Sequence, residues 1–279
     1  LIFVLLVSGT ATWKSIASER KARNEQHKAE RERLVAERSL MLIGDAHESS
    51  TRMISEVLGT LKSRVPEAGR KELLADVRRI VEDGLDEVIP PGNSNDSLHM
   101  KAVAMDSKAH LALATGDVSL ATALYQKGLD LREELRGRDP GNTVYQHNLA
   151  VSHDNLGDCR LLAARESGIS AARISEFLKL AEVEYRESIE ISRILAARPD
   201  ASNLWRHDLA VGLFKLGDTL ANREDEDLRT KATQVLVEGK AIAMQLAAGD
   251  PGYPKWQAHL GLFWLRLGRL HALEARGEY

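Results

Sequence analysis

Three stretches decide how this chain is read: YQHNLAVSHDNLGD from Tyr145 to Asp158, WRHDLAVGLFKLGD from Trp205 to Asp218, and WQAHLGLFWLRLGR from Trp256 to Arg269. An aromatic opens each copy, a leucine follows four residues on (Leu149, Leu209, Leu260), and Leu-Gly closes it (Leu156-Gly157, Leu216-Gly217, Leu267-Gly268). Steps of four and seven residues match the helical period, so the aromatic and the leucines share one helix face. The copies start 60 and then 51 residues apart, at Tyr145, Trp205 and Trp256. Self-similarity at tens of residues marks a stack of repeated helical units.

Composition agrees with that reading. The 279 residues are 43% hydrophobic, 28% charged and 5% aromatic, and no interior run alternates apolar with polar as a half-buried strand would. The expected fold class is all-α. A net charge of −3 argues against nucleic acid as a partner, since such binders carry a basic excess on one face. Cys159 is the only cysteine, which excludes an intrachain disulfide and a cysteine-rich metal site. It reads as a small buried residue of its helix.

Outward toward the N-terminus, residues 1–13 (LIFVLLVSGTATW) give an apolar run shorter than the roughly 20 residues of a membrane span, with no basic segment ahead of it. The expectation is the C-terminal end of a transmembrane helix, with Trp13 and Lys14 as interface anchors; the alternative is a short apolar helix end packed in a soluble domain. Residues 14–38 lack proline and glycine, interleave Glu with eight Lys/Arg, and read as a charged juxtamembrane stalk helix. Its basic residues favour a cytoplasmic location; the first reading is a solvated charged helix, and contact with anionic lipid is the alternative. Residues 39–89 carry two amphipathic segments broken at Pro66, an expected helical hairpin. Residues 90–97, PPGNSNDS, read as a linker, and Asn95-Asp96-Ser97 matches the N-glycosylation acceptor pattern.

Residues 98–279 divide into repeats 98–142, 143–200, 201–252 and a partial 253–279. In the first, Gly116-Asp117 forms the turn, Ala121 and Gly128 are small residues where helices cross, and Tyr125 is the large side chain between neighbours. In the second, Ala181, Tyr185 and Ser188 take the same roles, and Glu166–Leu178 reads as an insertion at the turn. The third has Ala232, Leu236 and Gly239 on its second helix and lacks the large aromatic. The acidic run Glu224–Asp227 is expected to open that helix, where carboxylates complement the dipole. The last helix, with Leu260, Phe263, Trp264, Leu267 and Leu270, is unusually apolar for the end of a stack: it cups that end, or further chain or another protein covers it.

The stretch from Gly116 resembles the second half of a tetratricopeptide (TPR) repeat. The whole form, W-x-x-[DN]-L-A-V-[SG]-x-x-x-L-G-D followed by a second helix, resembles the longer TPR-type repeats of bacterial signalling proteins. The resemblance implies a helical-hairpin solenoid on a single-pass anchor in a bacterial inner membrane. It also implies a non-catalytic scaffold whose first helices line a groove for a partner protein or peptide, or which drives self-association. The alternative is the regulatory or sensor arm of a larger signalling enzyme, with a kinase, cyclase, TIR or caspase-like effector ahead of residue 1. Such an effector in the cytoplasm would put the repeats outside, whereas the stalk charges favour the cytoplasm; both stay open.

By register, the resemblance places Val151, Asp154, Asp158 and Leu161, and Val211, Phe214, Asp218 and Ala221, in the groove. The lysine- and asparagine-rich clamp of chaperone-binding TPRs is missing, and Asp154 and Asp158 favour basic or apolar ligands. Ser152-His153-Asp154 contains the residue types of a hydrolase triad, but helix neighbours point about 100° apart and triads are spatial. His147 and His207 share one repeat position and read as scaffold. No HExxH, GxxxxGK[ST] or GxGxxG occurs, so no cofactor, metal or small-molecule substrate is expected.

Overall fold

The computed structural model describes residues 91–223 and 225–276, together with Arg20, Lys21, Arg23, Asp76 and Arg79. The expected membrane end (1–13), stalk (14–38) and hairpin (39–89) lie outside the described residues, apart from those five helical, exposed positions. Among these, Arg79 pairs with Asp76 one turn earlier at 3.1 Å. By compactness the chain divides into two units, Leu1–Arg52 and Met53–Tyr279, and all the helices below belong to the second.

The described residues are all-helical, without a strand. Seven helices follow in order: α1 (Asn95–Thr115), α2 (Val118–Arg138), α3 (Thr143–Ala163), α4 (Ala171–Ala196), α5 (Asn203–Ala221), α6 (Glu226–Gly249) and α7 (Pro254–Arg276). Local sequence fixes where they start. Ser94, Asn142 and Ser202 cap α1, α3 and α5, while Asp117, Ser170 and Asp225 cap α2, α4 and α6; each side chain accepts from a backbone N–H of the first turn. Pro254 stands at the first position of α7, where its missing N–H is no loss. The α1–α2 turn uses Gly116 at φ 88°, a left-handed conformation that closes the helix onto Ala112 and Leu113 carbonyls.

Two boundaries differ from the sequence reading. Helix α1 starts at Asn95, because Ser94 caps it and Ser97 Oγ donates to the Gly92 carbonyl at 2.8 Å, so the linker ends at residue 94. Asn95 and Ser97 therefore lie in a first helical turn, with Ser97 fully buried. The expected insertion at Glu166–Leu178 is only partly a loop: Ser170 starts α4 early, and the extra residues lengthen that helix to 26. The acidic run does open α6, with Asp225 as cap and Glu226 and Asp227 in the first turn.

Short connections make successive helices antiparallel. Each packs on the helix before and the helix after it, and beyond that only α3 with α5 and α5 with α7 touch. The core is accordingly split into segments along the chain. Ala121, Tyr125, Leu149, Leu156 and Cys159 join α1–α3; Ala181, Tyr185, Leu209, Leu216 and Ala232 join α4–α6; Leu236, Phe263 and Leu267 join α6 to α7. Ala121, Ala181 and Ala232 are fully buried at equivalent places, and Tyr125, Tyr185 and Leu236 follow four residues on. Each such large side chain contributes about 1.5–3 kcal/mol by burial.

One buried charge interrupts this apolar series. The Arg132 guanidinium, 4% exposed, donates to both carboxylate oxygens of Asp106 (3.1 and 2.5 Å) and to Ser152 Oγ at 2.6 Å, tying α2 to α1 and α3. Gly128 leaves room for it: a Cβ there would lie 2.9 Å from Asp106 Oδ1.

Candidate partner-binding groove

Helices α3, α5 and α7 are the three copies of the repeated stretch, and the face on which they meet carries a run of polar contacts between helices. His147 of α3 donates from Nε2 to Asp208 Oδ2 of α5 at 2.8 Å. Lys215 of α5 donates to both Asp154 and Asp158 of α3, the latter at 2.8 Å. Between α5 and α7, His207 Nε2 and His259 Nδ1 share a hydrogen bond of 2.6 Å, and Arg266 pairs with Asp218 at 2.7 Å. These contacts recur because the helices repeat: partners lie 61, 57, 52 or 48 residues apart, about one repeat in each case.

Between these contacts lies an apolar cavity of about 220 Å³, lined by Val211, Phe214, Ala243, Leu246, Trp256 and Phe263 among others, with His207, Lys215 and His259 as its polar edge. Phe214 and Phe263 meet edge to face at 5.3 Å and form one wall. Such a hollow suits an inserted apolar side chain, and the groups around it fix the direction of what enters.

The charges of the face are set by burial and pairing. Burial pushes the Asp154 carboxyl up to about 6; Lys215 pulls it down and Asp158 pushes it further up. Burial alone would lower the Lys215 ammonium, but the two aspartates outweigh it and hold it above the ordinary lysine value. Asp208 is held below the usual carboxylate range: burial would raise it, but hydrogen bonds to His147 and His207 win. Burial, then the nearby His207 and Lys255, lowers His259. Two carboxylates thus face the single Lys215 ammonium, and the Asp158 side chain is 42% exposed.

Of the eight residues placed in the groove by sequence, Val211 and Phe214 line the cavity. Asp154 and Asp158 sit beside it, engaged by Lys215, and Asp218 is held by Arg266. Val151 is exposed, whereas Leu161 and Ala221 pack against the core. Sequence reasoning missed Lys215, His259, Arg266 and Asp208. Their signal was the repeat offset itself, since a lysine one repeat beyond two aspartates faces them when equivalent helices lie side by side.

The residues of the Ser152-His153-Asp154 run go separate ways: Ser152 to Arg132, His153 Nδ1 to Glu184 Oε2 at 2.9 Å, and Asp154 to Lys215. His147 and His207, equivalent in the repeat, both face Asp208, with His207 Nδ1 3.6 Å away. Cys159 is buried, and burial pushes its thiol up to about 11. Among the described residues, no group of three or more His, Cys, Asp or Glu is placed to hold a metal ion, and no helix is long and apolar enough to cross a membrane. Set against protein-family models, curated proteins and solved structures, the chain has no match.

Proposed function

We propose that this chain is a non-catalytic interaction scaffold, a TPR-like helical solenoid that holds a partner segment against the face shared by α3, α5 and α7. The observation that carries this reading is the apolar cavity between α5 and α7, beside the cluster in which Asp154 and Asp158 face Lys215. The occupant is an extended or helical peptide with a large apolar residue for the cavity and a lysine or arginine for Asp158. The apolar run at residues 1–13 and the basic segment after it support a membrane tether for the scaffold. Selection of a displayed peptide library on the full chain tests the groove. Enriched sequences are expected to pair an apolar residue with a nearby cation and to bind Val211→Glu at least tenfold more weakly, with its thermal midpoint kept. Failure to enrich any sequence contradicts the reading.

A further inference from the structure

The repeated Leu-Gly pair builds a seat for a neighbouring helix, and among the described residues the seat is filled twice and open once. On α3, Ala150, His153 and Gly157 are buried; His153 bonds Glu184 of α4, and a Cβ on Gly157 would stand 2.5 Å from the Tyr185 ring of the same helix. On α5, Ala210, Leu213 and Gly217 are equally covered by α6, and a Cβ on Gly217 would stand 2.5 Å from Leu236 Cγ. The equivalent stripe on α7 is Gly261, Trp264 and Gly268. Nothing lies within 4 Å of a Cβ at either glycine, and Trp264 is 55% exposed. Exposed Leu265, next to Trp264, extends the same open face.

The two filled seats state what fits the third. Each occupant is a helix with a small residue, a large apolar residue four positions on, and a small residue three further: Ala181-Tyr185-Ser188 and Ala232-Leu236-Gly239. The surroundings of the open seat then narrow the choice. Over Gly157, the Tyr185 hydroxyl donates to Asp158 at 2.7 Å; the residue after Gly268 is Arg269, which cannot accept. Exposed Arg269 borders the stripe, and the Lys240 ammonium stands 4.2 Å over the Trp264 ring. Cations on the rim favour carboxylates on the occupant.

We propose that the open face of α7 docks an acidic amphipathic helix from a partner protein, with leucine, methionine or phenylalanine seated on Gly268, small residues four before and three after it, and Glu or Asp toward Arg269. Gly261, Trp264 and Gly268 are not among the residues that line the cavity between α5 and α7, so the proposal does not rest on the groove reading.

The test uses the full chain and two labelled 24-residue peptides: the sequence of residues 226–249, which carries the Ala-Leu-Gly pattern, and the same peptide with Lys231→Glu and Lys240→Glu. Fluorescence anisotropy is expected to show the acidic peptide binding at least tenfold tighter than the parent. Gly268→Leu, which fills the seat where no neighbour stands in the way, is expected to lose at least tenfold of that affinity with an unchanged circular dichroism spectrum. Val211→Glu is expected to leave it unaltered, which separates this site from the groove. No binding at millimolar peptide, or equal binding to Gly268→Leu, overturns the proposal. A dimer of the chain alone that Gly268→Leu abolishes also overturns it, by giving the seat to a second copy.

Discussion

The ring of Tyr185 lies directly on Gly157, so close that any side chain at 157 would occupy the tyrosine's space. Gly157→Ala should therefore destabilise the protein by about 1–3 kcal/mol, the usual cost of overpacking a filled core. At Gly268 the same change meets nothing, and replacing a mid-helix glycine should stabilise by up to ~1 kcal/mol. Urea unfolding of the two variants checks this; equal effects at both positions would contradict the filled seat at Gly157 and the open one at Gly268.

The buried Arg132–Asp106 pair should behave as a unit. Asp106→Ala leaves an uncompensated guanidinium in the core and is expected to cost about 3–5 kcal/mol. Arg132→Met combined with Asp106→Leu removes both charges and should cost less than either single charge removal. A double variant as damaged as the sum of its singles would show that the two side chains act independently.

Two groups on the α3–α5–α7 face give opposite pH dependences. Asp154 titrates near 6 in the fold against 3.8 unfolded, so between those values the native state holds the extra proton. Its contribution grows as pH falls through 6 and is lost as pH rises. Relative to Asp154→Asn, the wild type should therefore gain stability between pH 7 and pH 4. His259 is lowered from 6.5, so below pH 6.5 the unfolded chain protonates first and the fold loses stability. His259→Gln should remove that loss. Denaturant midpoints at pH 7, 5.5 and 4 resolve both signs.

Cys159 is fully buried with its thiol pushed up to about 11, so too little thiolate is exposed at pH 8 to react. Iodoacetamide should modify it only after unfolding. Rapid labelling of the native protein would show that α3 opens readily.

Much of this architecture was legible because its signals are local. The period of Leu149 and Leu156, the small-large-small pattern of Ala121, Tyr125 and Gly128, and the Asp225 cap each report on one helix. The structure buries Leu149, Leu156, Ala121, Tyr125 and Gly128 and starts α6 within the acidic run, with Asp225 as its cap. What stayed hidden depends on which helices stand side by side. Lys215 reads alone as a solvated cation, and only the meeting of α3 with α5 brings it onto Asp154 and Asp158. Leu161 and Ala221, placed in the groove by register, pack against the core in the last turn of their helices. The missing aromatic of the third repeat proved to be a substitution, with Leu236 occupying Tyr185's place.

The most direct measurement is hydrogen exchange, by mass spectrometry, of the full chain with and without a peptide selected on it. The account expects new protection in residues 147–158, 207–218 and 256–266, where α3, α5 and α7 share one face. Protection confined to α2, α4 and α6, with that face unchanged, would contradict it.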